Sequence, residues 1–227
     1  MKFRTKLIFV FSIVIFFISA ILGVVSYNFN SRRLSEKAAQ SLKFYSRQTA
    51  ANVDFTVDSM KHVTDYILSD PDMLNAMKTL PKYYGSSTYS KTIERNELLD
   101  TLNSGISMYY INSNFYRVII FNEFGDVASS TNTGSKITNK ARNTTTIDWL
   151  DSAARRHGKP ILVAPHMDGW GIRESEEVFS LARKVQGGDF GYIEVQYATE
   201  ELKDIFEVPD SDIKVVAFLP GGHVLYR

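Results

Sequence analysis

Apolar positions along the chain follow three successive spacings. From Leu7 to Val25, within "KLIFVFSIVIFFISAILGVV", 19 residues pass without a charge and only Ser12, Ser19 and Gly23 interrupt the apolar run. A helix of that length crosses the hydrocarbon core of a bilayer. It exceeds the apolar region of a cleaved signal peptide, about 7 to 15 residues, and "SAILG" makes a poor cleavage site, so an uncleaved anchor is predicted. Lys2, Arg4 and Lys6 precede the span with no acid among them, which favours an internal N-terminus and an external remainder; Arg32, Arg33 and Lys37 beyond it pull the other way.

The second regime is a single stripe. Leu34, Ala38, Leu42, Tyr45, Thr49, Val53, Thr56, Met60, Val63 and Ile67 recur at steps of three or four, and no Pro or Gly falls between Asn30 and Ser69. This predicts one long helix. Its stripe needs a partner: the same helix in a second chain, the globular part of its own chain, or both. Near the membrane, from Leu34 to Thr49, no sheet is close and pairing with a second chain is expected. "SDPDML" then gives a break and a restart, with Ser69 or Asp70 as N-cap and Pro71 in the first turn.

After a loop at "LPKYYGSSTYSK", a helix is predicted over Ile93 to Ile111, and the period then shortens to two. "FYRVIIFN" and "VASST" read as strands around the turn "EFGD". A Gly, Asn and Thr-rich loop runs to Thr146, "IDWLDSAARRHG" is a short helix with Gly158 as its cap, and "KPILVAPH" is a third strand. "EVFSLARKVQGGDFGYIEVQY" closes as a hairpin around Gly187 and Gly188. In its last strand Ile193, Val195 and Tyr197 share an apolar face, while Tyr192, Glu194 and Gln196 share one polar enough to line a cavity. The fold class is therefore α+β, an antiparallel sheet of about five strands with helices packed against it.

The tail repeats an earlier pattern. "VIIFNEFGDVASS" laid over "VVAFLPGGHVLYR" matches Val118 with Val215, Phe121 with Phe218, Gly125 with Gly222 and Val127 with Val224, at an offset of 97 residues. Each copy follows a helix-like segment, the second being "TEELKDIF". Two readings stand: two unrelated hairpins of similar turn chemistry, or a second module of the same kind beginning here.

Composition narrows the function classes. A net charge of +1 gives no electrostatic case for nucleic acid, and the lack of cysteine is compatible with an oxidising exterior. The four histidines, His62, His157, His166 and His223, come without a G-x-S-x-G elbow or a glycine-rich phosphate loop, so no catalytic site and no cofactor are expected. His166 and Asp168 form an H-x-D pair, at most a partial metal site with no third ligand, and no metal is expected.

One span, a long external helix, an α+β module and a second start about a module later resemble the double Cache sensor region, a PAS-like fold, of bacterial receptors. More closely, "VFSLARKVQGGDFGYIEVQYATEELKDIF" resembles the matching stretch of YesM-type sensor histidine kinases. The resemblance implies a homodimer whose external sensor binds a small solute and signals to a C-terminal kinase and its response regulator. It also implies the divisions 1–29 for stub and anchor, 30–69 for a signalling helix, 70–206 for the ligand-binding module and 207–227 for the start of a second, truncated one. Amino-acid-sensing relatives carry an Arg-x-x-Trp-Tyr stretch, a Tyr-x-Asp and a last-strand Asp. Here Trp149 matches the Trp, Thr146 and Leu150 replace the Arg and the Tyr, His166 and Asp168 stand at the Tyr-x-Asp spacing, and Gln196 replaces the last Asp. Trp149, His166, Asp168 and Gln196 are thus the candidate ligand residues, with core packing the rival role for Trp149 and turn chemistry that for Asp168. Losing the arginine clamp argues against a free α-amino acid. The rival functions are the same sensor on a chemotaxis receptor or cyclase, a membrane-tethered surface enzyme, and a ligand-free interaction module.

Overall fold

A computed structural model describes residues 3–85, 88–110, 115–131, 147–170, 176–206, 214–219 and 222–226. The chain divides into two units, Met1–Ala51 and Asn52–Arg227. The first is helix throughout its described length, part of α1, Phe3–Ser69. Its Leu7 to Val25 stretch is exposed, and the helix is long and apolar enough to cross a membrane. Leu34, Leu42 and Tyr45 are exposed as well.

In the second unit the same stripe turns inward, with Thr56, Met60, Val63 and Ile67 all buried. The even spacing seen in the sequence therefore serves two environments: the part beyond Val53 backs the globular core, and the part before Thr49 is bare. Asp70 is the N-cap of α2, Pro71–Thr79: its carboxylate accepts from the amides of Asp72 at 2.9 Å and Met73 at 3.0 Å, with Pro71 in the first turn. A 3-10 turn, Leu80–Tyr83, leads toward α3, Tyr89–Tyr110; Ile111, the expected helix end, lies outside the described residues.

Five strands form one antiparallel sheet: β1, Arg117–Phe121; β2, Val127–Thr131; β3, Ile161–Met167; β4, Glu177–Lys184; and β5, Tyr192–Ala198. Their order is β2-β1-β5-β4-β3. The loop read from the sequence between β2 and α4 lies, to Thr146, outside the described residues; α4 is Leu150–Arg155. One face of the sheet carries Val118, Ile120, Phe179, Leu181, Ile193, Val195 and Tyr197, which join Met60 and Ile67 of α1, Met73 and Met77 of α2 and Leu102 and Ile106 of α3 in the main core. Alternation along each strand sends the intervening residues to the opposite face.

That opposite face has two halves. Ile119, Phe121, Ala182 and Tyr192 pack with Trp149 and Ala153 of the α4 region and with Trp170 in a second apolar cluster. The other half holds Arg117, Ser180, Glu194 and Gln196, all without exposure. Register explains the grouping, since Arg117 and Ser180 both pair with Gln196, and Ile119 and Ala182 both pair with Glu194. β3 departs from regular pairing: Val163 lies opposite Ser180, but His166 rather than Pro165 lies opposite Val178, one residue out of step. The irregularity turns His166 onto the face of Ser180 and Glu194.

Beyond β5 a 3-10 turn, Thr199–Glu201, and α5, Leu202–Phe206, close the module. A two-stranded sheet of β6, Ala217–Phe218, and β7, Val224–Tyr226, follows. Leu219 and Leu225 enter the main core and Tyr226 stacks on Phe206 at 4.4 Å, while Phe218 and Val224 stay exposed.

The approach of the β4–β5 connection to β1 is testable at Gly191, where φ is +103° and an added Cβ would sit 2.1 Å from the Phe121 carbonyl oxygen. Gly191→Ala is expected to cost about 3 kcal/mol or more in denaturant unfolding. Gly125→Ala, at φ +86° with open space around it, should cost only about 1 kcal/mol. Equal costs at the two positions would refute the close backbone approach.

Candidate functional site

The polar face opens into a cleft of about 750 Å³. Ile147, Trp149 and Ser152 form one wall, β3 and the Gly169–Trp170 turn another, and Glu194 reaches it from the sheet. His166 and His223 also line it. Its charged or titratable lining is Asp148, Glu194 and the two histidines, with neither Lys nor Arg among the described lining residues.

Glu194 is the centre of the polar network. The Trp170 indole N–H donates to its Oε2 at 2.8 Å, and the Ser180 hydroxyl and the Gln196 amide donate to its Oε1 at 2.8 and 3.2 Å. His166 Nε2 stands 3.6 Å from the same oxygen. Nδ1 of His166 lies 2.9 Å from the Ala164 carbonyl, which can only accept, so the proton sits on Nδ1 in the neutral ring and Nε2 faces the carboxylate. Burial, the largest single influence, lowers the His166 pKa; the Glu194 hydrogen bond, the Ala164 carbonyl and the charges of Glu194 and Asp168 together outweigh it, so the pKa is raised above 6.5.

Beneath this network an ion pair holds the cleft in shape. Arg117 Nη2 donates to Asp168 Oδ2 at 2.9 Å, and both side chains are fully buried. Asp168 also accepts from the Trp170 amide at 3.0 Å and lies 3.4 Å from the Tyr116 hydroxyl, while its own amide donates to the Glu176 carbonyl at 2.9 Å. The pair ties β1 to the turn after β3, across the two strands between them, and so fixes where Trp170 stands.

Of the four residues singled out from the sequence, Trp149 and His166 line the cleft. Trp149 is at once core and wall, packed edge-on to Phe121 and Tyr192 at 5.9 and 6.1 Å. Asp168 does not line the cleft; it is held by Arg117 behind the wall, in the turn its sequence neighbours suggested. Gln196 is buried and reaches the cleft only through Glu194. Thr146, at the position of the missing arginine, lies outside the described residues. Sequence reasoning placed Glu194 on a face polar enough to line a cavity without singling it out, and passed over Trp170, Ser180 and Arg117. Arg117 had a signal: a guanidinium inside the apolar run "FYRVIIF" requires a buried anion.

No family model matches the chain. No curated protein sequence matches it. Its fold is similar to the extracellular domain assigned to a histidine kinase, soHK1S-Z6, at 14% identity and a TM-score of 0.52 over 87% of this chain and 73% of that one. A lower similarity is to the sensor domain of the V. cholerae histidine kinase DctB, at 13% identity, TM-score 0.46, 75% of this chain and 59% of that one. The isoleucine-bound sensory domain of the Campylobacter jejuni chemoreceptor Tlp3 stands at 16% identity, TM-score 0.41, 72% and 62%. The chain thus spans about six tenths of the length of the DctB and Tlp3 domains.

Two predictions follow from this geometry. Arg117→Leu leaves Asp168 buried without its cation and should cost about 3 to 5 kcal/mol, while Arg117→Leu combined with Asp168→Leu should recover most of that loss. Additive losses in unfolding experiments would show that the pair does not act as a unit. For His166, whose folded pKa lies above the unfolded value, the stabilisation is fully present below the unfolded value near 6.5 and fades as pH rises through the folded one. The stability difference between wild type and His166→Gln should therefore shrink from pH 6 to pH 9, and a difference that grows would reverse the assignment.

Proposed function

We propose that the chain is the membrane-anchored external sensor region of a bacterial histidine kinase, of the double Cache, YesM-like kind, and that the cleft binds a small solute. The observation that carries this reading is the cleft itself. It is a concave space with two tryptophans and a buried carboxylate, built on the polar face of a sheet whose other face is packed against helices. The shared fold of an extracellular histidine-kinase domain supports the class of protein. The apolar helix before residue 26 is the anchor, and the exposed stripe through Leu34, Leu42 and Tyr45 pairs with the same stripe of a second chain. Output passes to a C-terminal kinase and a response regulator; the 217–226 hairpin opens the second sensor module.

The solute carries an amine or several hydroxyls rather than a lone carboxylate. Glu194 accepts its hydrogen bonds, and the faces of Trp149 and Trp170 suit a cation or the apolar face of a sugar-like ring. Arg117 is engaged by Asp168. Asp168 positions the turn carrying Trp170 and does not contact the solute. A solute ammonium at Glu194 competes with protonated His166, so amine binding weakens as pH falls through the His166 pKa.

Thermal unfolding of the purified chain in detergent, against ethanolamine, putrescine, choline, glycerol, acetate and succinate, tests the reading. Amines or polyols are expected to raise the melting temperature in a concentration-dependent way. Glu194→Gln, which keeps the shape, should weaken the best of them about 10- to 100-fold, the worth of one charge-assisted hydrogen bond. Stabilisation by acetate or succinate that survives in Glu194→Gln would overturn it.

A further inference from the structure

One wall of the cleft comes from outside the five-stranded sheet. His223 precedes β7 in the small hairpin and lines the same space as Trp149, His166 and Glu194. Its backbone is held: the Leu219 amide donates to the His223 carbonyl at 2.8 Å and the Gly222 amide to the Leu219 carbonyl at 3.0 Å. Gly222 takes a φ of +86°, a turn conformation suited to glycine. On either side Leu219 and Leu225 are buried in the main core, and Tyr226 stacks on Phe206. The hairpin is thus seated on the module by three side chains, and the imidazole of His223, exposed, is offered to the cleft.

We propose that His223 is a solute-contacting residue, accepting a hydrogen bond from an amine or hydroxyl of the bound molecule, and that occupancy of the cleft thereby tightens the seating of the 217–226 hairpin. The inference rests on the reading of the cleft as a solute site. A neutral imidazole nitrogen is a good acceptor for such donors. A group contacted from both the module and the hairpin binds better when the two are seated together, and by reciprocity binding favours the seated state. The hairpin follows α5 in the chain, so a contact made there couples occupancy of the cleft to the segment beyond the five-stranded sheet.

The chain has no cysteine, which allows a test that does not depend on the natural solute. Ser152, in the cleft wall, is changed to Cys in the full chain and treated with 2-aminoethyl methanethiosulfonate, which leaves a tethered ammonium, or with methyl methanethiosulfonate, which leaves a small neutral group. The aminoethyl form is expected to slow amide exchange at Leu219 about 3- to 10-fold relative to the methyl form. The slowing should vanish with His223→Ala and return in part with His223→Gln, which keeps an acceptor. No slowing with His223 present, or equal slowing with His223→Ala, overturns the proposal. Failure of the solute reading shows separately: the melting temperature of the aminoethyl form would then be no higher than that of the methyl form, and the exchange comparison would still decide His223.

Discussion

A guanidinium and a carboxylate, both without exposure, join the second-outermost strand of the sheet to the turn beyond its opposite edge. Buried charges of this kind are tolerated only as a pair, because each alone would face a desolvation cost of several kcal/mol. Arg117 on β1 and Asp168 after β3 therefore hold the Gly169–Trp170 turn over the polar half of the sheet. With Trp170 fixed, its indole N–H finds Glu194, and Glu194 in turn orders Ser180 and Gln196. The cleft is what remains between this roof and the wall carrying Trp149. Without the ion pair the strands could still alternate correctly and the helical side could still pack, yet the Gly169–Trp170 turn would lose what holds it over the polar face.

The two faces of the sheet thus have different tasks. Methionines of α1 and α2 and branched residues of α3, β1 and β5 fill the helical side, a dry core whose side chains were selected for volume. On the other side aromatic rings give way, within two residues along β5, to a carboxylate with four polar neighbours. Tyr192 stacks on Phe121 at 5.5 Å, and burial together with the nearby Glu123 pushes its phenol up to about 12, so it stays neutral across physiological pH. Among the described residues, Arg117 and Glu194 bring buried charge to this face in neighbouring rows, while Lys184 Nζ stands 5.5 Å over the Tyr192 ring one row further along.

How much of this was legible in the sequence varies with the range of the interaction involved. Period-two alternation identified the faces of β5, and the Asp70–Pro71 pair marked the α2 start, because both are local rules. The α1 stripe was visible too, and the point where it turns from bare to buried follows from where the sheet's helices stand. Trp149 and His166, named from the resemblance, line the cleft, whereas Glu194 was placed on the polar face of β5 but not singled out, Gln196 being taken instead because it occupied a resembled position. What separated them is the second coordinate, reach into the cleft, and that depends on a turn held 51 residues away by Arg117. The hairpin's contribution of His223 was equally invisible, since no local pattern says where a turn will dock.

The one-residue slip in β3 also governs how the molecule behaves toward its own copies. β3 is the outermost strand on its side of the sheet, and an outermost strand offers unpaired amides and carbonyls to any strand that comes alongside. Pro165 sits within the slip, where it has no amide hydrogen to give and its ring breaks the flat repeat that a second strand would need. The residue that would make β3 a good template is thus missing at the place where the strand borders an open cleft. A margin interrupted in this way is a poor template for adding strand upon strand into an aggregate.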